Sequence, residues 1–193
     1  PQILEVKGLH IRNMAKRIGN FTSSNKLFNK TDQLIDWSIK SNMVSVFTDC
    51  PHREKLGWLE QTYLVGSSVK YAYDIATLLR KTVADIASAQ TPEGLIPEIA
   101  PEFIKFDEPF RDSPEWGAAG ILLPWFMYEW YGDKNMLEQN YPVMNRYMQY
   151  LHSKDSSGIL MQGLGDWFDT GPARPGYSQH TPQGLTATDR KSV

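Results

Sequence analysis

The pattern of hydrophobic and polar positions first predicts helices that are apolar on nearly every face. Residues 59–73 and 116–131 both have this character. A helix without a polar face must be buried on most sides. Pro124 lies inside the second segment and is expected to bend it.

A second kind of helix alternates with the first. Residues 74–86 and 142–151 each carry one apolar stripe opposite charged or polar positions. Asp74 is the expected N-cap of the former, and Pro142 the expected first residue of the latter. Residues 25–38 show the same amphipathic period. Buried helices that alternate with amphipathic ones predict two concentric layers, and therefore an all-α fold of the α/α-toroid type.

The remaining segments are predicted to be extended or irregular. Glu5–Ile11 alternates weakly between apolar and polar residues and predicts a short β-strand near the N-terminus. Residues 91–113 and 153–185 are long connections rich in Pro, Gly, Asp and aromatic residues. Long loops of this kind commonly carry function. We expect both to gather with residues 49–58 at one rim of the toroid.

Composition narrows the function by exclusion. The 193 residues have a formal net charge of −2 and a pI near 6.1, and their basic residues are not clustered, which argues against nucleic acid as a partner. No apolar run is long enough to predict a membrane span. A lone Cys50, expected to be a small buried residue, excludes an internal disulfide and any multi-cysteine metal site. No metal and no cofactor are predicted, and secreted, periplasmic and cytoplasmic locations all remain open.

The segment Asp49-Cys50-Pro51-His52-Arg53-Glu54-Lys55-Leu56-Gly57-Trp58 concentrates candidate chemistry. Asp49 and Glu54 are able to hold a polar substrate from two sides, and Trp58 offers an apolar face to a sugar ring. A carboxylate beside an aromatic wall is how glycosidases keep one acid protonated near neutral pH. Residue types alone also fit a solvated turn with an Asp cap, so this alternative stays open at this point.

The same segment resembles a signature of the α-L-rhamnosidase family of glycoside hydrolases, of the bacterial type. Further pieces resemble that family in the same order: Phe-Thr-Ser-Ser-Asn at 21–25, Pro-Glu-Trp-Gly at 114–117, Leu-Pro-Trp at 123–125, Tyr-Gly-Asp at 131–133 and Gly-Asp-Trp-Phe-Asp at 165–169. The resemblance implies an (α/α)6 barrel of twelve helices. It further implies that residues 1–20 are the tail of a preceding β-domain with a linker, and that residues 21–193 form the first half of the catalytic barrel.

The resemblance also implies roles for individual residues. Glu54 corresponds to the general acid, while Asp49 and Arg53 correspond to positions that hold sugar hydroxyls. The walls of the rhamnose pocket, and the groups that bind its hydroxyls, are expected from Trp58, Gln61, Trp116, Asp166 and Trp167. The family inverts configuration, and its general base lies on the other half of the barrel. Acidic residues expected near the rim but mostly solvated are Glu98, Glu102, Asp107, Glu108, Asp112 and Glu115.

Two positions depart from the family pattern. Gln61 stands where the family commonly has an Asp, and Ala118 stands where an acidic residue is frequent. Two alternatives to an α-L-rhamnosidase therefore remain open. One is an α/α-toroid carbohydrate-active enzyme of different sugar specificity, and the other is a non-catalytic carbohydrate-binding relative. The expected partner is a rhamnose-containing glycan or glycoside, with the remaining half of the barrel supplied by the full-length chain. The 193 residues alone are expected to be inactive.

Overall fold

The computed structural model describes residues 2–192, and its regular secondary structure is helical. Seven helices follow in chain order: α1 Lys26–Asn42, α2 Leu59–Ala72, α3 Ala76–Ala89, α4 Pro114–Gly117, α5 Ala119–Tyr131, α6 Lys134–Lys154 and α7 Gln183–Lys191. Within this described range, β-pairing is limited to isolated bridges. The predicted all-α class is confirmed.

Helix α5 is the centre of the packing. It contacts α2, α3 and α6, while the short α4 packs against α2 and α7. The apolar stripe predicted for residues 74–86 is buried on α3, with Leu79 and Ile86 almost fully enclosed. Leu123 and Met127 of α5 are inaccessible to solvent. The arrangement corresponds to one layer built from α2 and α5 and a second built from α3 and α6.

The predicted starts of α1 and α3 are close to the observed ones, whereas that of α6 is not. Asn25 caps α1, since its side-chain oxygen accepts from Leu27 N at 2.9 Å. Asp74 also accepts from a backbone N–H, that of Ala76 at 3.2 Å, although Ile75 occupies the cap position. The prediction that a helix starts at Pro142 is wrong.

Helix α6 begins eight residues before Pro142, which lies inside it. Gly132 ends α5 with a left-handed φ of 67°, and the Asp133 side chain caps α6 by accepting from Met136 N at 3.3 Å. A capped start and a left-handed glycine together outweigh the preference of proline for a first turn.

The segment predicted as one helix over residues 116–131 is divided at Ala118 into α4 and α5. Close packing at Gly117 accompanies this division, because a Cβ there would lie 2.0 Å from the Tyr147 hydroxyl. Pro124 lies within α5, as expected.

The β-strand predicted for Glu5–Ile11 is not formed in the described structure. These residues are mostly exposed and pair with no strand among residues 2–192. The weak alternation of apolar and polar residues does not by itself produce a strand, because a strand needs an edge to pair with. Contact with the helical part is made by the His10 ring, whose centroid lies 5.5 Å from that of Trp37 on α1. Backbone contacts follow, since Asn13 N donates to Met43 O at 2.7 Å and Ile18 N donates to Ala72 O at 2.8 Å.

Helix α2 is less enclosed than its apolar sequence predicted. Leu64, Val65 and Tyr71 are exposed in the described part of the chain, as are Trp125 and Tyr128 of α5. Exposed apolar side chains on neighbouring helices favour association. Helix α2 was expected to be buried on most sides, but in the described structure it is buried on one side and exposed on the other.

We expect the isolated 193-residue chain to self-associate, because these exposed side chains lie on two neighbouring helices. The double substitution Leu64→Ser and Tyr71→Ser is expected to weaken this association. Analytical ultracentrifugation over a range of concentrations measures both. A single species whose sedimentation coefficient is independent of concentration, with a cooperative melt, would contradict the expectation.

Candidate active site

The segment from Asp49 to Trp58 folds into a closed loop. Its two ends pair, since Asp49 N donates to Leu56 O and Leu56 N donates to the Asp49 carboxylate, both at 3.3 Å. Lys55 reverses the chain with a left-handed φ of 57°, an uncommon conformation for a residue with a side chain. Cys50 is buried and unpaired, as expected of a small core residue. The loop leaves Arg53 exposed at its tip.

Glu54 and Trp58 are joined directly. The Trp58 indole Nε1–H donates to Glu54 Oε2 at 2.9 Å, and the Glu54 side chain is exposed. One face of Trp58 is covered by Phe106, with ring centroids 5.4 Å apart and planes inclined by 19°. The indole therefore fixes the direction of the carboxylate while its own ring is held from behind.

The segment 98–100 packs against the start of α2 and forms the floor of the site. Leu59 N donates to Glu98 O at 2.9 Å, and Ala100 N donates to Gly57 O at 3.3 Å. Glycine is required at position 57, because a Cβ there would lie 2.9 Å from the Ala100 carbonyl oxygen. The pairing places Glu98 beside Trp58 although the two are far apart in sequence.

An open cleft of about 780 Å³ lies between this floor and the closed loop. Seven of the eight site residues predicted from the sequence line it, namely Asp49, Arg53, Glu54, Trp58, Gln61, Trp116 and Trp167. Apolar lining comes from Leu56, Ile104, Phe106, Phe110 and Leu164, and Glu98 completes it. A mostly apolar cleft with a few convergent polar groups is the usual form of a small-molecule site.

The two remaining tryptophans of the prediction occupy different environments. Trp116 is buried, and its indole nitrogen has no hydrogen-bond partner within residues 2–192. Trp167 is 37% exposed and meets Phe110 edge-on, with centroids 5.0 Å apart. Trp116 thus belongs to the floor of the cleft and Trp167 to its mouth.

Asp166 is the predicted site residue that the structure does not bring into the lining; it is exposed. The neighbouring Asp169 stabilises its own loop, since its carboxylate accepts from Gln179 N and His180 N at 2.8 Å each. These two backbone donors lower the pKa of Asp169.

The expectation that the acidic residues near the rim are mostly solvated is wrong for three of them. Glu98, Asp112 and Glu115 are buried. Asp112 is satisfied by the Tyr150 hydroxyl and by Gln162 Nε2, the latter at 2.8 Å. Both carboxyl oxygens of Glu98 and of Glu115 lack a hydrogen-bond partner in the described chain.

Burial is the main cause of the raised pKa values of Glu98 and Glu60. It raises the pKa of Glu98 to about 8, against a smaller opposing effect of Ser113, and the nearby Glu115 and Glu60 carboxyls add to the rise. Burial likewise raises the pKa of Glu60 to about 7, again with a contribution from Glu115. Carboxyl groups with such values cluster at functional sites.

Comparison with known proteins identifies the family. Residues 16–189 match the family model described as the bacterial alpha-L-rhamnosidase 6 hairpin glycosidase domain. The chain belongs to this family. It is 33% identical over 174 residues to an alpha-L-rhamnosidase of Formosa agariphila, an alignment that covers 84% of this chain and 18% of the relative.

Solved structures of α-L-rhamnosidases share the fold. The alpha-L-rhamnosidase from Dictyoglumus thermophilum superimposes with a TM-score of 0.82 at 30% identity, over 93% of this chain and 20% of that one. The Streptomyces avermitilis alpha-L-rhamnosidase, solved in complex with L-rhamnose, gives a TM-score of 0.81 at 28% identity, over 94% and 17%. The chain thus spans about a fifth of the length of these relatives. The resemblance inferred from the sequence motifs and the six-hairpin fold are both confirmed.

Other classes of site find no support in the part of the family domain that the structure describes. Within residues 2–192, no group of three or more His, Cys, Asp and Glu side chains is placed to hold a metal ion. No helix in the same range is long and apolar enough to cross a bilayer.

Three lining residues of functional interest were missed as site residues, Glu98, Phe106 and Phe110. Glu98 carries a signal that sequence analysis had available, because it is the one charged residue in the apolar stretch 94–100. If the apolar neighbours of this carboxylate are buried, the carboxylate is buried with them. Phe106 and Phe110 carry no comparable signal, since their positions depend on how the loop folds over Trp58 and Trp167.

Proposed function

We propose that the full-length protein hydrolyses terminal α-L-rhamnosides, with Glu54 as the general acid that protonates the leaving oxygen. The observation that carries this proposal is the joint presence of Asp49, Arg53, Glu54 and Trp58 in one cleft of a chain that belongs to the α-L-rhamnosidase family. The relatives bearing that name supply the choice of sugar.

The remaining side chains of the cleft take complementary roles in this proposal. Asp49 and Arg53 bind sugar hydroxyls, and Arg53 is suited to this because no carboxylate pairs with it among residues 2–192. Trp116 and Trp167 flank the sugar, whose C6 is an apolar methyl group. Gln61 hydrogen-bonds a hydroxyl through its unpaired Oε1.

Hydrolysis requires a second carboxylate that activates water. We propose single displacement with inversion, as in the family, and place the general base in the second half of the barrel rather than in this chain. Residues 21–193 then form the first half of the catalytic domain, and residues 1–20 the linker from a preceding β-domain. The short coverage of the relatives' own length supports this division.

A second candidate is an enzyme of the same fold that acts on a different sugar. Two observations favour it, namely that Gln61 replaces the usual Asp and that Ala118 replaces a frequent acid. The buried carboxyl group of Glu98 on the cleft floor points the same way, because it adds a polar contact that the motifs did not predict.

Release of 4-nitrophenol from 4-nitrophenyl α-L-rhamnoside by the full-length protein tests the proposal. We expect turnover of this substrate and inversion of the anomeric centre, which proton NMR of the first-formed sugar measures. Turnover of the aryl glycoside of another sugar, with none of the rhamnoside, would favour the second candidate. Sugar binding without any turnover would favour a binding module.

Trp58→Phe tests the contact that holds the proposed acid. Phenylalanine keeps a ring against Phe106 but removes the indole N–H that donates to Glu54. Hydrogen bonds to charged groups contribute about 1.5–3 kcal/mol, so we expect kcat to fall about tenfold or more with little change in KM. Trp37→Phe on the exposed face of α1 is the matched control. Equal kcat values for the two variants would contradict the role of this contact.

A further inference from the structure

Unpaired buried polar atoms gather on the floor of the cleft. Gln61 Oε1, Trp116 Nε1 and both carboxyl oxygens of Glu98 have no hydrogen-bond partner within residues 2–192. All three side chains line the same cleft. Buried polar groups are nearly always hydrogen-bonded, and each exception calls for an explanation. A ligand that supplies the missing partners explains three such exceptions at once.

Glu98 is the most demanding of the three. Its side chain is only 1% exposed, although it reaches the cleft. Ser113 lies beside it, but the Ser113 hydroxyl donates to Pro109 O at 3.2 Å and accepts from Leu164 N at 3.0 Å. Leaving a buried carboxyl group without partners costs free energy that folding has to offset. A ligand in the cleft that hydrogen-bonds Glu98 would offset this cost.

We propose that Glu98 is a specificity-determining residue that hydrogen-bonds ring hydroxyls of a neutral sugar. This inference rests on the proposed function only for the identity of the sugar. The recognition itself follows from the unpaired atoms on the floor of the cleft.

The donors and acceptors on the floor match a polyol. Trp116 Nε1–H is a donor only, and Gln61 Oε1 is an acceptor only. A protonated Glu98 both donates and accepts. Neighbouring hydroxyls on a sugar ring combine both functions in the same way.

The charges that face Glu98 explain why it acts as a neutral group. Ser113 favours its ionised form, while Glu115 from α4, Glu60 from α2 and Asp112 from the preceding loop each disfavour it. Burial contributes most, so the pKa of Glu98 rises to about 8. The carboxyl group is therefore protonated below that pH and loses its donor above it.

Isothermal titration calorimetry of the full-length protein with free L-rhamnose and other neutral monosaccharides tests the proposal independently of catalysis. At pH 6, Glu98→Gln is expected to bind the preferred sugar within about threefold of the wild type, because the amide also donates and accepts. Glu98→Leu, of similar size, is expected to bind about tenfold more weakly. Above pH 8 the wild type is expected to lose affinity, and Glu98→Gln to lose markedly less.

Glu115→Gln is the matched control, because Glu115 is equally buried and has two unpaired oxygens but does not line the cleft. At pH 6 it is expected to leave affinity unchanged within about twofold. Circular dichroism checks that each variant is folded. Wild-type affinity in a folded Glu98→Leu would overturn the proposal, as would failure of every neutral sugar to bind the wild type. Binding without hydrolysis would refute the proposed function and leave the role of Glu98 standing.

Discussion

Glu54→Gln in the full-length protein is expected to reduce kcat for a natural rhamnoside by about 10²–10⁴-fold. Glutamine preserves the size of the side chain and is able to keep the hydrogen bond from Trp58 Nε1, which is 2.9 Å in length. It has no proton to transfer to the leaving oxygen. The loss should therefore appear in kcat, with KM changed by a much smaller factor.

The choice of substrate decides how this result is interpreted. A 4-nitrophenyl leaving group needs little protonation, so a smaller loss is expected with the aryl rhamnoside than with an alkyl or glycosyl rhamnoside. Glu138→Gln, an exposed position on α6, is the control for the same chemical change away from the cleft. Equal activity of wild type and Glu54→Gln on both substrates would remove Glu54 from the mechanism.

The sequence was most informative where local chemistry determines structure. The loop of Asp49 to Trp58 closes through its own backbone and one carboxylate, so its motif predicts both its shape and its place at the site. The buried stripe of α3 was predictable for the same reason, because a helical period places Leu79 and Ile86 on one face.

Predictions from sequence failed where distant segments decide the outcome. Glu98 is buried because residues 98–100 pair with residues 57–59 at the start of α2, a contact that no local pattern shows. The start of α6 at Lys134 depends on the combined effect of Gly132 and Asp133, which outweighs the single signal of Pro142. The apolar composition of α2 did not predict its exposed face, because an apolar helix is buried only where another element covers it.

The buried carboxyl groups also predict an unusual dependence of stability on pH, most simply at Glu60. Its pKa rises from 4.5 to about 7 on folding, chiefly by burial and then through Glu115. Between these values the folded state binds the proton more tightly than the unfolded state, so the free energy of unfolding falls as pH rises. Above pH 7 the ionisation of Glu60 lowers the free energy of unfolding by its full amount, about 3 kcal/mol.

Glu60→Gln removes this cost, because glutamine is neutral at every pH. The variant is expected to match the wild type closely at pH 4, where Glu60 is mostly protonated in both states, and to melt at a higher temperature than the wild type at pH 8. Differential scanning calorimetry of the full-length protein measures the difference in Tm at each pH. Glu129→Gln at an exposed position of α5 is the control, and its effect should not change with pH. A Glu60→Gln variant whose Tm difference from the wild type is the same at pH 4 and pH 8 would show that this carboxyl group folds without a protonation cost.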